Sequence, residues 1–201
     1  MWSIRRRAFS LVEVAVAMGL LLGLLGSLYL LVLAGLRYFQ QGEVSQTVQQ
    51  QAGLGLRRLN DDLSMSNLAT VTYGPGPDHV FFLSPLKTSD QPDYRLYTYD
   101  ASGNLEWHSW IGYVLNPNGD LVRYEVDPGG PTLVPPVPAV PALATFTASA
   151  INRVVARNVS SLVVTPGATA QTLRLDLTVS VATASDKRTE LTLGSQVRVQ
   201  N

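Results

Sequence analysis

The sequence predicts an α+β fold in which one long N-terminal helix, transmembrane in its first half and amphipathic in its second, packs on antiparallel β-sheets. Three observations carry that prediction. Val14 to Leu36 holds no charged side chain. Val44, Val48, Ala52, Leu56, Leu59 and Leu63 then recur at steps of four, four, four, three and four, which draws one apolar stripe along a helix. From His79 onward, short runs rich in β-branched and aromatic residues alternate with turn sequences. The organisation that follows is a basic leader over residues 1–8, a membrane helix over 9–36, an amphipathic helix over 37–70 and a β-rich head over 71–201.

The leader ends in Arg5, Arg6, Arg7 and Ala8. Behind it, Val14 to Leu36 is 23 residues whose only polar side chains are the hydroxyls of Ser27 and Tyr29. At about 1.5 Å per residue the run extends roughly 35 Å, enough to cross a bilayer core of about 30 Å. The positive-inside rule keeps the arginines cytoplasmic and sends the rest outward, which predicts a single-pass membrane protein with an extracytoplasmic head. A secretory signal has a shorter apolar core, of about 7–15 residues, and its small residue follows that core; here Ala8 precedes it. Glu13 stands out as a carboxylate one turn inside the apolar segment. Such a charge costs about 3 kcal/mol near a helix centre and less near an end, and a residue carrying that cost is a functional candidate. Gly19, Gly23 and Gly26 notch the run, and two readings stand: close helix packing through the Gly19–Gly23 spacing, or local loosening of the helix.

Arg37, Tyr38 and Phe39 have the composition of an interfacial belt. The stripe from Val44 to Leu63 leaves Gln46, Gln49, Gln50, Arg57, Arg58, Asn60 and Asp61 mostly on other faces, so the helix is expected to lie under a sheet. It is expected to run nearly unbroken from Phe9 to about Leu68, and Gly74-Pro75-Gly76-Pro77 forbids continuation.

In the head, His79 to Leu83 reads as a strand closed by Pro85, and Tyr94 to Tyr99 as a strand before a turn at Asp100–Asn104. Trp107 to Leu115 and Leu121 to Val126 flank Asn116-Pro117-Asn118-Gly119-Asp120, a hairpin signal. Thr172 to Thr183 alternates with Leu173, Leu175, Leu177, Val179 and Val181 inward. Leu191, Leu193, Val197 and Val199 match it across a turn at Ser185-Asp186-Lys187. Asp127 to Pro141 holds six of the twelve prolines and reads as an extended connection; it could protect a sheet edge or serve a proline-binding module.

Composition limits the chemistry. Fifteen basic residues balance fifteen acidic ones, and without the leader arginines twelve remain against fifteen, which argues against direct nucleic-acid binding. With no cysteine, disulfides and thiolate-based metal or redox sites are excluded. No cofactor or metal is expected. His79 and His108 are read as packed or surface imidazoles. Asn116, Asn118 and Asp120 imitate a calcium loop but lack the distal glutamate, and turn chemistry accounts for them. Asp61 and Asp62 are adjacent and do not face each other on a helix. No hydrolase, phosphate-loop or dinucleotide motif is present, so an enzyme is not expected.

The basic leader, a small residue, and Phe9-Ser10-Leu11-Val12-Glu13-Val14 ahead of a charge-free run resemble the class III signal of type IV prepilins and type II secretion pseudopilins. The resemblance implies a pilin-like fold and cleavage between Ala8 and Phe9 by a prepilin peptidase, with N-methylation of Phe9. The family prefers Gly before the cut, where this chain has Ala8. Ile111 to Leu115, a turn, and Leu121 to Tyr124 also resemble a hairpin of J-type minor pseudopilins and W-type minor pilins.

After such a cut, the Phe9 amine and the Glu13 carboxylate lie at similar membrane depth. Opposite charges in a low dielectric attract strongly, and the amine of one subunit meeting Glu13 of its neighbour would select one register. Glu13 snorkelling to the interface is the simpler alternative. The resemblance implies a minor pilin or pseudopilin of a tip or priming complex, serving secretion, adhesion, motility or DNA uptake. Its partners would be other pilin or pseudopilin subunits and an inner-membrane assembly platform, with nucleic acid engaged only indirectly. The competing expectation is an uncleaved, signal-anchored extracytoplasmic binding domain.

Overall fold

A computed structural model describes residues 10–74, 78–87, 96–182 and 188–199, apart from the side chains of Gln40, Gln41, Lys87 and Leu96. The leader with Ala8 and Phe9, most of the Gly-Pro break and the turn at 185–187 lie outside the described residues. The helix α1 spans Leu11–Ser64 as one element, and a 3-10 turn follows at Leu68–Thr70, capped by the Asn67 side chain. The chain divides into two compact units, Met1–Val44 and Ser45–Asn201.

In the first unit α1 is apolar around its circumference and most of its leucines and valines are exposed. It is the chain's candidate membrane-spanning helix, by length and hydropathy.

The second unit holds the rest of α1, a short helix α2 (Leu143–Thr147) and ten strands: β1 (Thr72–Gly74), β2 (His79–Ser84), β3 (Leu86–Lys87), β4 (Leu96–Tyr97), β5 (Ser109–Leu115), β6 (Leu121–Val126), β7 (Asn152–Ala156), β8 (Val159–Pro166), β9 (Thr172–Ala182) and β10 (Arg188–Arg198). They form an antiparallel five-stranded sheet in the order β1-β2-β5-β6-β7, a three-stranded sheet β10-β9-β8, and the small pair β3-β4. The fold is therefore α+β, with a long N-terminal helix and antiparallel sheets.

Burial explains the sequence patterns. The stripe residues Val48, Ala52, Leu56, Leu59 and Leu63 are buried. The central strand β5 is covered on both faces, so it reads as a nearly continuous apolar run. On one face, Tyr113 and Arg123 reach Asp62 of α1. On the other, Phe81, Leu83, Trp110 and Val114 gather around Phe146 of α2. Phe146 stacks on Phe81 at 4.2 Å between ring centroids. Gly112 makes that possible, since a Cβ there would stand 2.6 Å from the Phe146 ring.

β9 alternates because only one face is covered, and Leu173, Leu175, Leu177 and Val179 are buried as the period-2 pattern predicts. Their partners across the ladder are Val197, Ser195, Leu193 and Leu191. Gly55 lets α1 approach closely here: a Cβ would lie 2.9 Å from Ala156 and 3.1 Å from Leu177.

Several expectations need correction. Trp107 precedes β5 and bridges Thr132 instead. β7, β8 and α2 occupy a region with no predicted element. Among the described residues the proline-rich connection pairs by backbone with Trp107, through Thr132, and not with an edge strand of the large sheet. The edges of the large sheet are β1 and β7, and Val134 and Val140 of the connection pack against the cluster on one sheet face. The apolar residues between the prolines carry it there, which makes it part of the core's lid.

Candidate functional site

Of the residues singled out by sequence, Ala8 and Phe9 fall outside the described region, and Glu13 is placed in the first turn of α1. The Glu13 carboxylate accepts the Ser10 N–H at 2.9 Å, and the Ser10 hydroxyl accepts the Glu13 N–H at 3.2 Å. This is a reciprocal capping box: two amides that the helix start leaves without backbone partners are each satisfied by the other residue's side chain. The negative charge also sits at the positive end of the helix dipole. The Ser-x-x-Glu spacing of Ser10 to Glu13 was the sequence signal for it. Glu13 lies beside Val14, Ala17, Met18 and Leu21, so it is the single charge on an otherwise apolar surface.

The histidines are packed. His79 stacks on Phe81 at 4.6 Å, and His108, largely buried, is hydrogen-bonded to the Thr98 hydroxyl with Glu106 at 3.8 Å. At the β5–β6 turn the Asn116 side-chain oxygen accepts the amides of Asn118 and Asp120, at 3.1 and 2.8 Å, and Gly119 takes the positive φ that closes the turn. That oxygen serves the backbone. At the preceding turn Asp100 plays the same part, and the hydrogen bond from the Asn104 side chain, then those from backbone amides, hold its carboxyl below the usual range.

The principal buried polar assembly was missed by sequence reading. Asp62 is buried beneath the large sheet, where it accepts Arg123 Nε at 2.7 Å and the Tyr113 hydroxyl at 2.9 Å, with Arg58 at 3.8 Å. Arg123 continues to Glu125 at 3.2 Å, and Glu125, also buried, accepts the Ser109 hydroxyl at 2.9 Å. Two acids and two arginines balance in charge. Burial, then the charge of Asp62, pushes the Tyr113 phenol well above its ordinary value. Burial, the largest single influence, would depress Arg123, but the charge and hydrogen bond of Asp62 together with Tyr113 and Glu125 outweigh it, and the guanidinium stays charged. Two weak signals were present: a charged residue three positions after stripe residue Leu59 and directly before Leu63, and charged Arg123 and Glu125 at alternate positions within a strand.

This assembly links α1 to β5 and β6. Its acids are buried and paired, with Arg58 the member most open to solvent, so it fits a structural clamp better than a reaction centre. A hollow of about 490 Å³ beside the β5–β6 turn is lined by Val114, Leu115, Tyr124 and Leu143, with Asp78 among the polar residues. Asp78 is already engaged by the Leu162 N–H. Among the described residues no cluster of three or more potential metal ligands occurs.

No protein-family model, curated protein or solved structure matches the chain.

Proposed function

We propose that the chain is a minor pilin or pseudopilin: a non-enzymatic subunit of a type IV pilus or type II secretion-like filament, placed in a tip or priming complex. One observation carries the reading. A basic leader and Ala8-Phe9 stand directly before a Glu13-headed, charge-free run. That run belongs to a single helix that continues into a β-rich unit. In this reading a prepilin peptidase cuts after Ala8, and the chain waits in the inner membrane with its head outside. Other subunits and the assembly platform then draw it into the filament, where Glu13 meets a neighbour's new amine.

Mass spectrometry of the mature protein tests this. Loss of residues 1–8 with a methylated Phe9 is expected; an intact Met1 on protein that never sediments with fibres would refute it. Glu13→Val is expected to leave membrane insertion intact and to lower recovery in filaments.

A second reading, an uncleaved anchor carrying a binding domain, has one observation in its favour. The Ser10–Glu13 capping box gives the carboxylate a local task that needs no neighbour. The mature N-terminus separates the two: membrane-bound protein that keeps Met1 and is not recovered in filaments favours the second.

A further inference from the structure

The two outer strands of the three-stranded sheet are finished differently. β8 carries a register shift, ends in Pro166, and has its outward backbone engaged: the Leu162 N–H donates to Asp78 and the Val159 N–H to the Gly119 carbonyl. These are the usual ways of closing an edge. β10 has none of them. Its eleven residues pair with β9 without a shift and contain no proline.

The direction of its backbone groups follows from one bond. The Val199 N–H donates to the Gln171 carbonyl in the same register, so odd-numbered residues of this ladder point their backbone toward β9. Arg188, Glu190, Thr192, Gly194, Gln196 and Arg198 therefore turn their N–H and C=O groups to the open side. Their side chains are all exposed. Among the described residues nothing bonds to these backbone groups.

We propose that the β10 edge accepts an extended segment of another polypeptide as a fourth strand. The pattern along the edge defines its chemistry. Leu191, Leu193 and Val197 lie on the covered face, so an antiparallel partner needs apolar residues at alternate positions. On the exposed face it needs an acid opposite Arg198, a base opposite Glu190 and an acid opposite Arg188. Paired with a second β10 about Leu193, Arg188 would stand opposite Arg198, a like-charge pair; about Gly194, Glu190 would meet Arg198 but Arg188 would find no acid, whereas the acid-base-acid partner has all three charges answered. The inference does not depend on processing at Ala8.

The test uses the full-length protein in detergent micelles and an eleven-residue probe peptide. The peptide has glutamate first and last, lysine ninth, threonine at the other odd positions and valine at the even ones. Backbone amide exchange is followed residue by residue. The even-numbered amides of β10 are expected to exchange fast in the protein alone and to slow at saturating peptide. Protection without peptide that is independent of concentration would mean that the chain closes its own edge, and protection that rises with protein concentration would assign the edge to a second copy; either result overturns the proposal. Thr192→Pro, which removes one outward N–H at a position where an edge strand tolerates proline, is expected to abolish the peptide effect. Unchanged protection in that variant would also overturn it. Glu190→Lys is expected to weaken binding of the lysine peptide roughly two- to fivefold and to recover it when the peptide lysine becomes glutamate. Equal binding of both peptides by both proteins would refute the assigned register.

Discussion

The two halves of α1 share a backbone conformation and differ in what their apolar residues meet. In the first half Leu20 and Leu31 are 71% and 70% exposed, and leucines and valines occupy every side of the helix. In the second, Val48, Leu59 and Leu63 are at most 1% exposed, and polar residues occupy the opposite face. A helix that is apolar all round needs an apolar surrounding, whereas one with a single stripe needs only a sheet to lie on. The second half finds that sheet within its own chain; the first half has to find a bilayer or other helices.

The largest break in that comparison comes from separating the halves. A chain shortened to begin at Gly42 is expected to remain soluble and monomeric without detergent, while the whole chain is expected to require detergent or lipid. Size-exclusion chromatography with light scattering checks both. Aggregation of the shortened chain would mean that the stripe needs other subunits as well as its own sheets.

Next in size is the contrast between neighbours Asp61 and Asp62. Asp62→Ala removes the acid between Tyr113 and Arg123 and leaves a buried guanidinium partly uncompensated. Loss of one partner of a buried pair costs about 3–5 kcal/mol. Asp61 is exposed, and Asp61→Ala is expected to change little. Denaturant unfolding of the shortened chain measures both, and equal effects would show that the clamp does not hold α1 to the sheet.

A smaller contrast separates Gly53 from Gly55. An added methyl at Gly55 collides with Ala156 and Leu177, and such overpacking costs about 1–3 kcal/mol. At Gly53 nothing lies within 4 Å, so Gly53→Ala is expected to stabilise by up to about 1 kcal/mol through helix propensity. Opposite shifts in the unfolding midpoint are the expected result.

These contrasts also show what was legible beforehand. The period of four and three residues exposed the buried stripe, and the period of two exposed β9, because each element has one covered face. β7 was harder: Asn152 and Arg153 leave it only three apolar residues, and as an edge strand it needs few of them. The closeness of Gly55 to Ala156 joins residues a hundred positions apart, and no local pattern encodes that approach. The Asp62 assembly was invisible for the same reason, since each member alone reads as a surface charge or a strand residue. For Glu13 the reverse holds. Its place before the apolar run was plain, while the capping bond to Ser10 was encoded in the same four residues and read only for its charge.

The subtlest test uses pH to examine the clamp without cutting it. In the unfolded chain the Tyr113 phenol titrates near its ordinary value of 10.0; in the folded protein burial and Asp62 hold it well above that. Below pH 10 both states keep the proton, and the contribution to stability is fully present. Above it the unfolded state has lost a proton that the native state retains, so stability falls as pH rises, by about 1.4 kcal/mol per unit, until the native phenol itself titrates. Tyr113→Phe is expected to flatten that decline and, with Arg123 still bonded to Asp62, to cost about 1 kcal/mol at neutral pH. Denaturant midpoints across the alkaline range, with phenolate absorbance of the native protein, provide the measurement. Equal alkaline slopes in the two proteins would mean that Tyr113 ionises freely while folded, and that the Asp62–Arg123 pair holds the second half of α1 to its sheet without help from the phenol.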